Sequence, residues 1–138
     1  MTSATPTQSS STSIERLIAR LDSDTAATQC NERCEAVKQT LIEEIGGRAL
    51  ELPAEFTHPC ADAYARRLLH KTDRYIVVVM VWGPHQGTPI HDHDGNWCVE
   101  CVYDGTIRVR SFDLIGSPDD EIVSFQKAKE VSAHKGMA

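Results

Sequence analysis

The alternation of apolar and polar positions divides the chain into a helical first half and a strand-rich second half. Ile14, Leu17, Ile18 and Leu21 recur at helical spacing, and Thr12 followed three residues later by Glu15 forms a capping-box pattern that predicts a helix starting there. From about Asp24 to Ile45 the positions Cys30, Cys34, Val37, Leu41 and Ile45 keep one helical face. That spacing predicts a second helix with both cysteines in its packed face, stopped by Gly46-Gly47. Residues 53 to 62 hold Pro53 and Pro59 and little periodicity, the pattern of a connection with one helical turn.

After this connection the period changes. Tyr75 to Trp82 and Trp97 to Tyr103 are dense in β-branched and aromatic residues and read as strands. Asp104-Gly105 is a type I′ hairpin signal that would join the second run to Thr106 through Phe112. A weaker run, Ile122 to Phe125, follows the turn residues Gly116-Ser117-Pro118 and the acidic triplet Asp119, Asp120 and Glu121. Helices followed by short strands predict an α+β order with an antiparallel sheet as the core. Ahead of Ile14, residues 1 to 13 carry nine Ser or Thr and no large apolar residue except Met1, so they read as a disordered arm before a domain over 14–138. Within that domain, 14–70 is the helical part and 71–138 the strand part.

Composition narrows the class. A chain of 138 residues is one ordinary domain, and 41% apolar with 25% charged residues is a globular balance. Fourteen Lys and Arg against 20 Asp and Glu leave a formal charge of -6, which argues against a nucleic-acid partner. The longest apolar run, Ile76 to Trp82, is far shorter than the roughly 20 residues a membrane helix needs, and no secretory or transit pattern opens the chain, so a cytoplasmic address without membrane association is expected. Five cysteines, at 30, 34, 60, 98 and 101, are an odd number and read as reduced thiols. Cys98 and Cys101 spell C-x-x-C, but three residues apart in a strand they point to opposite faces, which blocks a shared metal.

The chemistry concentrates between the expected strands. His85, His91 and His93 are three of the six histidines, packed into nine residues. In extended backbone His91 and His93 project from one face, close enough for both imidazoles to reach one metal ion, and imidazole suits iron, copper, nickel and zinc alike. Asp92 and Asp94 alternate away and suit hydrogen bonding or solvent. Glu100 shares the parity of Cys98, so the two side chains belong to one face. His85 reads as an exposed turn residue, and His58 and His70 carry no motif.

The run Gly87-x3-His91-x-His93-x4-Cys98-x6-Gly105 resembles the first signature motif of the cupin superfamily, with Cys98 where most cupins place a glutamate ligand. Replacement of that acid resembles the thiol dioxygenases, the cysteine dioxygenase family, and Tyr64-Ala65-Arg66-Arg67-Leu68-Leu69 followed by Trp82-Gly83 and Pro89-Ile90-His91-Asp92-His93 keeps that family's order. The resemblance implies a jelly-roll β-barrel holding Fe(II) through histidines, His91 and His93 among them, that adds both atoms of O2 to the thiol of L-cysteine. It implies that Arg66 and Tyr64 orient the substrate carboxylate and that Cys98 occupies the position of the family's pocket cysteine, which forms a thioether in animal members. Relatives that act on 3-mercaptopropionate carry glutamine where Arg66 stands. A small-thiol dioxygenase of that preference and a non-catalytic metal- or ligand-binding cupin are the alternative readings. The resemblance further implies a monomer and a third histidine some fifty residues after the first motif. Only His134 follows His93, without the expected proline or strand pattern, so the chain reads as the first two-thirds of such an enzyme, with open sheet edges that favour association.

Overall fold

The computed structural model describes residues 8–138; residues 1–7 of the expected arm lie outside the described residues. Helix α1 runs Gln8–Asp24 and α2 Cys30–Leu41, continued by a π-helical turn, Ile42–Gly46; a single turn, α3, follows at Ala54–Thr57. Strands β1 (Ala65–Lys71) and β2 (Ile76–Val81) pair antiparallel, as do β3 (Thr106–Ile115) and β4 (Ser124–His134). The architecture is α+β.

Helix α1 starts earlier than the capping-box pattern places it, so residues 8–13 are helical rather than part of an arm. The reason is polar burial that composition does not register. Ser10 and Ser13 are buried on the same face as Leu17 and Leu21, and the Ser13 hydroxyl bonds the Ser10 carbonyl at 3.0 Å while accepting from the Glu51 amide at 2.9 Å. Satisfied hydroxyls bury without the penalty an orphaned one would carry. Leu17, Leu21, Val37, Ile45, Leu50 and Tyr75 form the core, with Trp97, Val99, Cys101 and Tyr103 packed against it.

Four further expectations need correction. Residues 65–70, placed in the helical part, form β1: Arg66 and Arg67 pair in register with Met80 and Val79, a long-range ladder that overrides local propensity. The run Trp97 to Tyr103 is extended but joins no ladder, so the hairpin expected at Asp104-Gly105 does not form. Strand β3 instead pairs with β4 around the Gly116-Ser117-Pro118 reversal, where the Asp120 carboxylate accepts from the Ser117 amide at 3.0 Å. Strand β4 reaches His134, well beyond the expected run Ile122 to Phe125. In place of one sheet there are two separate two-stranded sheets, and among the described residues they close no barrel. No helix of the described residues is long and apolar enough to cross a membrane.

The C-terminal turn docks on the extended run. Gly136 donates to the Val102 carbonyl at 2.8 Å and Val102 to that of Met137 at 3.0 Å, which buries Val102. Gly136 has φ of +83 and lies against Gly46, where an added Cβ would stand 3.1 Å from the Gly46 Cα. Two glycines meeting there let the chain end approach the end of the π-helical turn.

Candidate metal centre

The histidine loop is folded back on itself by local backbone chemistry. Asp94 and Gly95 both have positive φ, 54 and 77 degrees, and the Asn96 amide donates to the His93 carbonyl at 3.0 Å. Two successive left-handed residues are the signature of a type I′ turn. The Asp92 carboxylate accepts from the Asp94 amide at 3.2 Å and braces the reversal. A two-residue reversal places the even positions 98 and 100 on the face already occupied by 91 and 93.

The side chains follow that rule. One ring nitrogen of His93, Sγ of Cys98 and a carboxylate oxygen of Glu100 lie within 4.8 Å of one another, all three residues exposed. The His91 ring stands edge-on to His93 with centroids 5.5 Å apart, and its Nδ1 is 2.8 Å from the Pro89 carbonyl oxygen. That contact assigns the Nδ1 proton to the carbonyl bond and leaves Nε2 as the lone-pair nitrogen, the tautomer of a ligating histidine. Odd positions 97, 99, 101 and 103 point the other way, into the core, where the Tyr103 hydroxyl accepts from the Leu52 amide at 3.0 Å. Cys98 and Cys101 therefore face opposite sides, as their spacing requires.

An open cleft of about 430 Å³ joins this face to α2, with Cys34, Glu35 and Lys38 on the helix side and His93, Cys98 and Glu100 on the loop side. Partial desolvation pushes the Cys98 thiol up, and the Glu100 carboxylate and Cys34 thiol act in the same direction. Arg33 of α2 lies over the Trp97 ring at 5.6 Å, a cation–π contact that ties the helix to the loop's return arm.

Tyr64 and Arg66 sit apart from the cleft lining. Tyr64 stacks on Trp82 with centroids 6.2 Å apart, and Arg66 is an exposed residue of β1, without an ion pair among the described residues. His134 Nδ1 lies 3.1 Å from the Thr106 hydroxyl at the open end of the β3–β4 ladder, away from the cluster. Two cleft residues escaped sequence reasoning as donors. Glu100 was recognisable only as sharing the face of Cys98. Cys34, placed in the helical core by its spacing, is half-exposed and 3.9 Å from the exposed Cys30, Sγ to Sγ; the charged neighbours Glu32, Arg33 and Glu35 were the available signal that this face meets water.

The donor chemistry fits a divalent first-row metal: an imidazole nitrogen, a thiolate sulfur and a carboxylate oxygen are ligand types iron and zinc both accept. No family model matches the chain, and no solved structure matches it.

Proposed function

We propose that this chain is a non-haem iron thiol dioxygenase of cupin type that oxidises L-cysteine with O2 to cysteine sulfinic acid. The observation that carries the reading is the convergence of His93 and Cys98, flanked by His91, on one face of a reversed loop. The two sheets and the extended run Trp97 to Tyr103 would then be parts of the jelly roll. In overall balance the thiol and one O2 become the sulfinic acid, with both oxygen atoms bound to sulfur and no external reductant consumed.

His91 and His93 would hold the iron, with Cys98 beside it. Bound Fe(II) would supply open coordination positions for thiolate and O2, and lower the thiol pKa by coordination. The residues contribute placement. Arg66 offers a planar fork able to hold a carboxylate by two parallel charge-assisted bonds, and Tyr64 a phenol close to it in sequence. The reading requires Arg66 and Tyr64 to face the bound substrate.

The test loads the full chain anaerobically with Fe(II), measures bound iron, and follows O2 uptake with L-cysteine, with 3-mercaptopropionate and without thiol. The expected result is one iron per chain, lost in His93→Ala, and uptake with L-cysteine accompanied by sulfinate. Greater uptake with 3-mercaptopropionate would move the substrate assignment. Iron bound without O2 uptake on any thiol would replace the enzyme reading by a metal-binding one.

A further inference from the structure

We infer that α2 supplies a fourth donor, Cys34, and that Cys34, His93, Cys98 and Glu100 together bind zinc(II) as a closed four-coordinate centre. The inference goes beyond the iron reading and does not rest on it, since it uses a thiol from a separate element and needs no catalysis.

The first ground is convergence of separate elements. His93, Cys98 and Glu100 come from the two arms of the reversed loop and already hold their donor atoms within 4.8 Å. Cys34 projects from α2 into the same cleft as these three. Helix and loop are fixed to each other by the Arg33–Trp97 contact and the shared core around Val37 and Val99. The fourth donor is therefore delivered by a braced helix rather than by a free segment.

The second ground is donor type. Two thiolates, an imidazole and a carboxylate match the ligands zinc takes in tetrahedral sites, at about 2.3 Å for sulfur and about 2.0–2.2 Å for nitrogen and oxygen. Those bond lengths place neighbouring ligand atoms about 3.3–3.8 Å apart, so the three-donor group must contract by about 1 Å, and Cys34 Sγ, which stands outside that 4.8 Å group on the α2 wall of the cleft, must swing in to join it, both by χ rotations of side chains that water reaches. Lys38 and Glu35 both line the cleft, so their opposite charges offset each other and the electrostatic balance rests on the four donors and the divalent ion. Cys30, 3.9 Å from Cys34 and outside the cleft lining, packs beside the ligand rather than acting as one.

Four protein ligands leave no position for a substrate. Zinc in this centre and the iron occupancy proposed above are therefore mutually exclusive, and zinc pins α2 to the histidine loop.

The experiment uses cobalt(II) as a spectroscopic stand-in for zinc on the full, reduced chain. The expected result is one cobalt per chain, visible bands of tetrahedral intensity, and a near-ultraviolet sulfur-to-cobalt band that zinc displaces. In Cys34→Ser and in Cys98→Ser that band falls to about half, as loss of one of two thiolates requires, while Cys30→Ser keeps it whole. Zinc also raises the melting temperature of the parent, less so that of Cys34→Ser. Full band intensity in Cys34→Ser, or six-coordinate spectra in the parent, overturns the inference. Because the readout is cobalt and zinc binding, a chain with no O2 uptake can still pass it, and an active iron enzyme can still fail it.

Discussion

Replacing Glu44 by Gln is expected to destabilise the protein by about 2 kcal/mol at neutral pH, and the structure sets both the sign and the ceiling. The Glu44 carboxylate, 7% exposed, accepts three charge-assisted bonds: from Arg16 Nε at 3.1 Å, Arg16 Nη2 at 3.0 Å and Arg20 Nη1 at 3.0 Å. Breaking a buried ion pair from one side costs about 3–5 kcal/mol when the surviving charge stays buried. Here the arginine side chains are 47% and 36% exposed and can turn to water, so the loss is discounted below that range. Burial alone would raise the Glu44 pKa, but the Arg16 and Arg20 bonds together outweigh it and hold the carboxyl below its usual value. A folded-state pKa below the unfolded one gives stability that is present above about pH 4.3, the unfolded value, and lost as pH falls through the lower folded value. Urea unfolding of the parent and Glu44→Gln across acid to neutral pH should thus show two curves that separate at neutral pH and converge in acid. A gap under about 0.5 kcal/mol at neutral pH, or one that does not close in acid, would refute this account of how α1 is clamped to the π-helical turn.

Three other outcomes are expected. Tyr75→Phe removes the hydroxyl bond to Asp22 Oδ1 at 2.7 Å and should cost about 1–2 kcal/mol by thermal melting. Desolvation first, then that bond, pushes the Tyr75 pKa up, so the parent should lose stability as pH rises above about 10, the unfolded value, while Tyr75→Phe should lack that alkaline loss. Gly47→Ala places a Cβ 2.6 Å from the Glu43 carbonyl oxygen and should cost about 1–3 kcal/mol by opening the turn after Gly46, read by urea unfolding. Gly95→Ala forces a side chain to φ of +77, so cobalt or iron affinity should fall with only about 1–2 kcal/mol lost in stability; unchanged metal affinity would separate the turn from the site.

How much of this was legible in the sequence depended on the range of the contacts involved. Leu17, Leu21, Val37 and Ile45 announced their helices because 3.6-residue periodicity is local. Strand β1 did not, because Arg66 and Arg67 become strand residues only through pairing with Met80 and Val79. The two Asp-Gly pairs make the point most sharply. Asp94-Gly95 and Asp104-Gly105 are the same hairpin signal, yet only the first has left-handed φ at both residues; at the second only the glycine does, and the Asp104 carboxylate caps the Gly105 amide at 3.0 Å. Trp97, Val99 and Tyr103, packed on the helices, hold the run between the two pairs against the core, and it joins no ladder with β3.

That choice of turn also settles which part of the site could be read in advance. Parity alone puts His91 with His93 and Cys98 with Glu100, two half-sites on separate stretches of chain. Joining them needs a two-residue reversal between His93 and Cys98, at Asp94-Gly95, because one residue more or fewer in that turn would send Cys98 and Glu100 to the core face and bring Trp97 and Val99 out. The core decides against it: Trp97, Val99, Cys101 and Tyr103 bury apolar surface on the helices only in the observed register. The hydrophobic face of the run therefore holds the metal face in place, and substitutions at Trp97 or Val99 should disturb metal binding without touching a ligand.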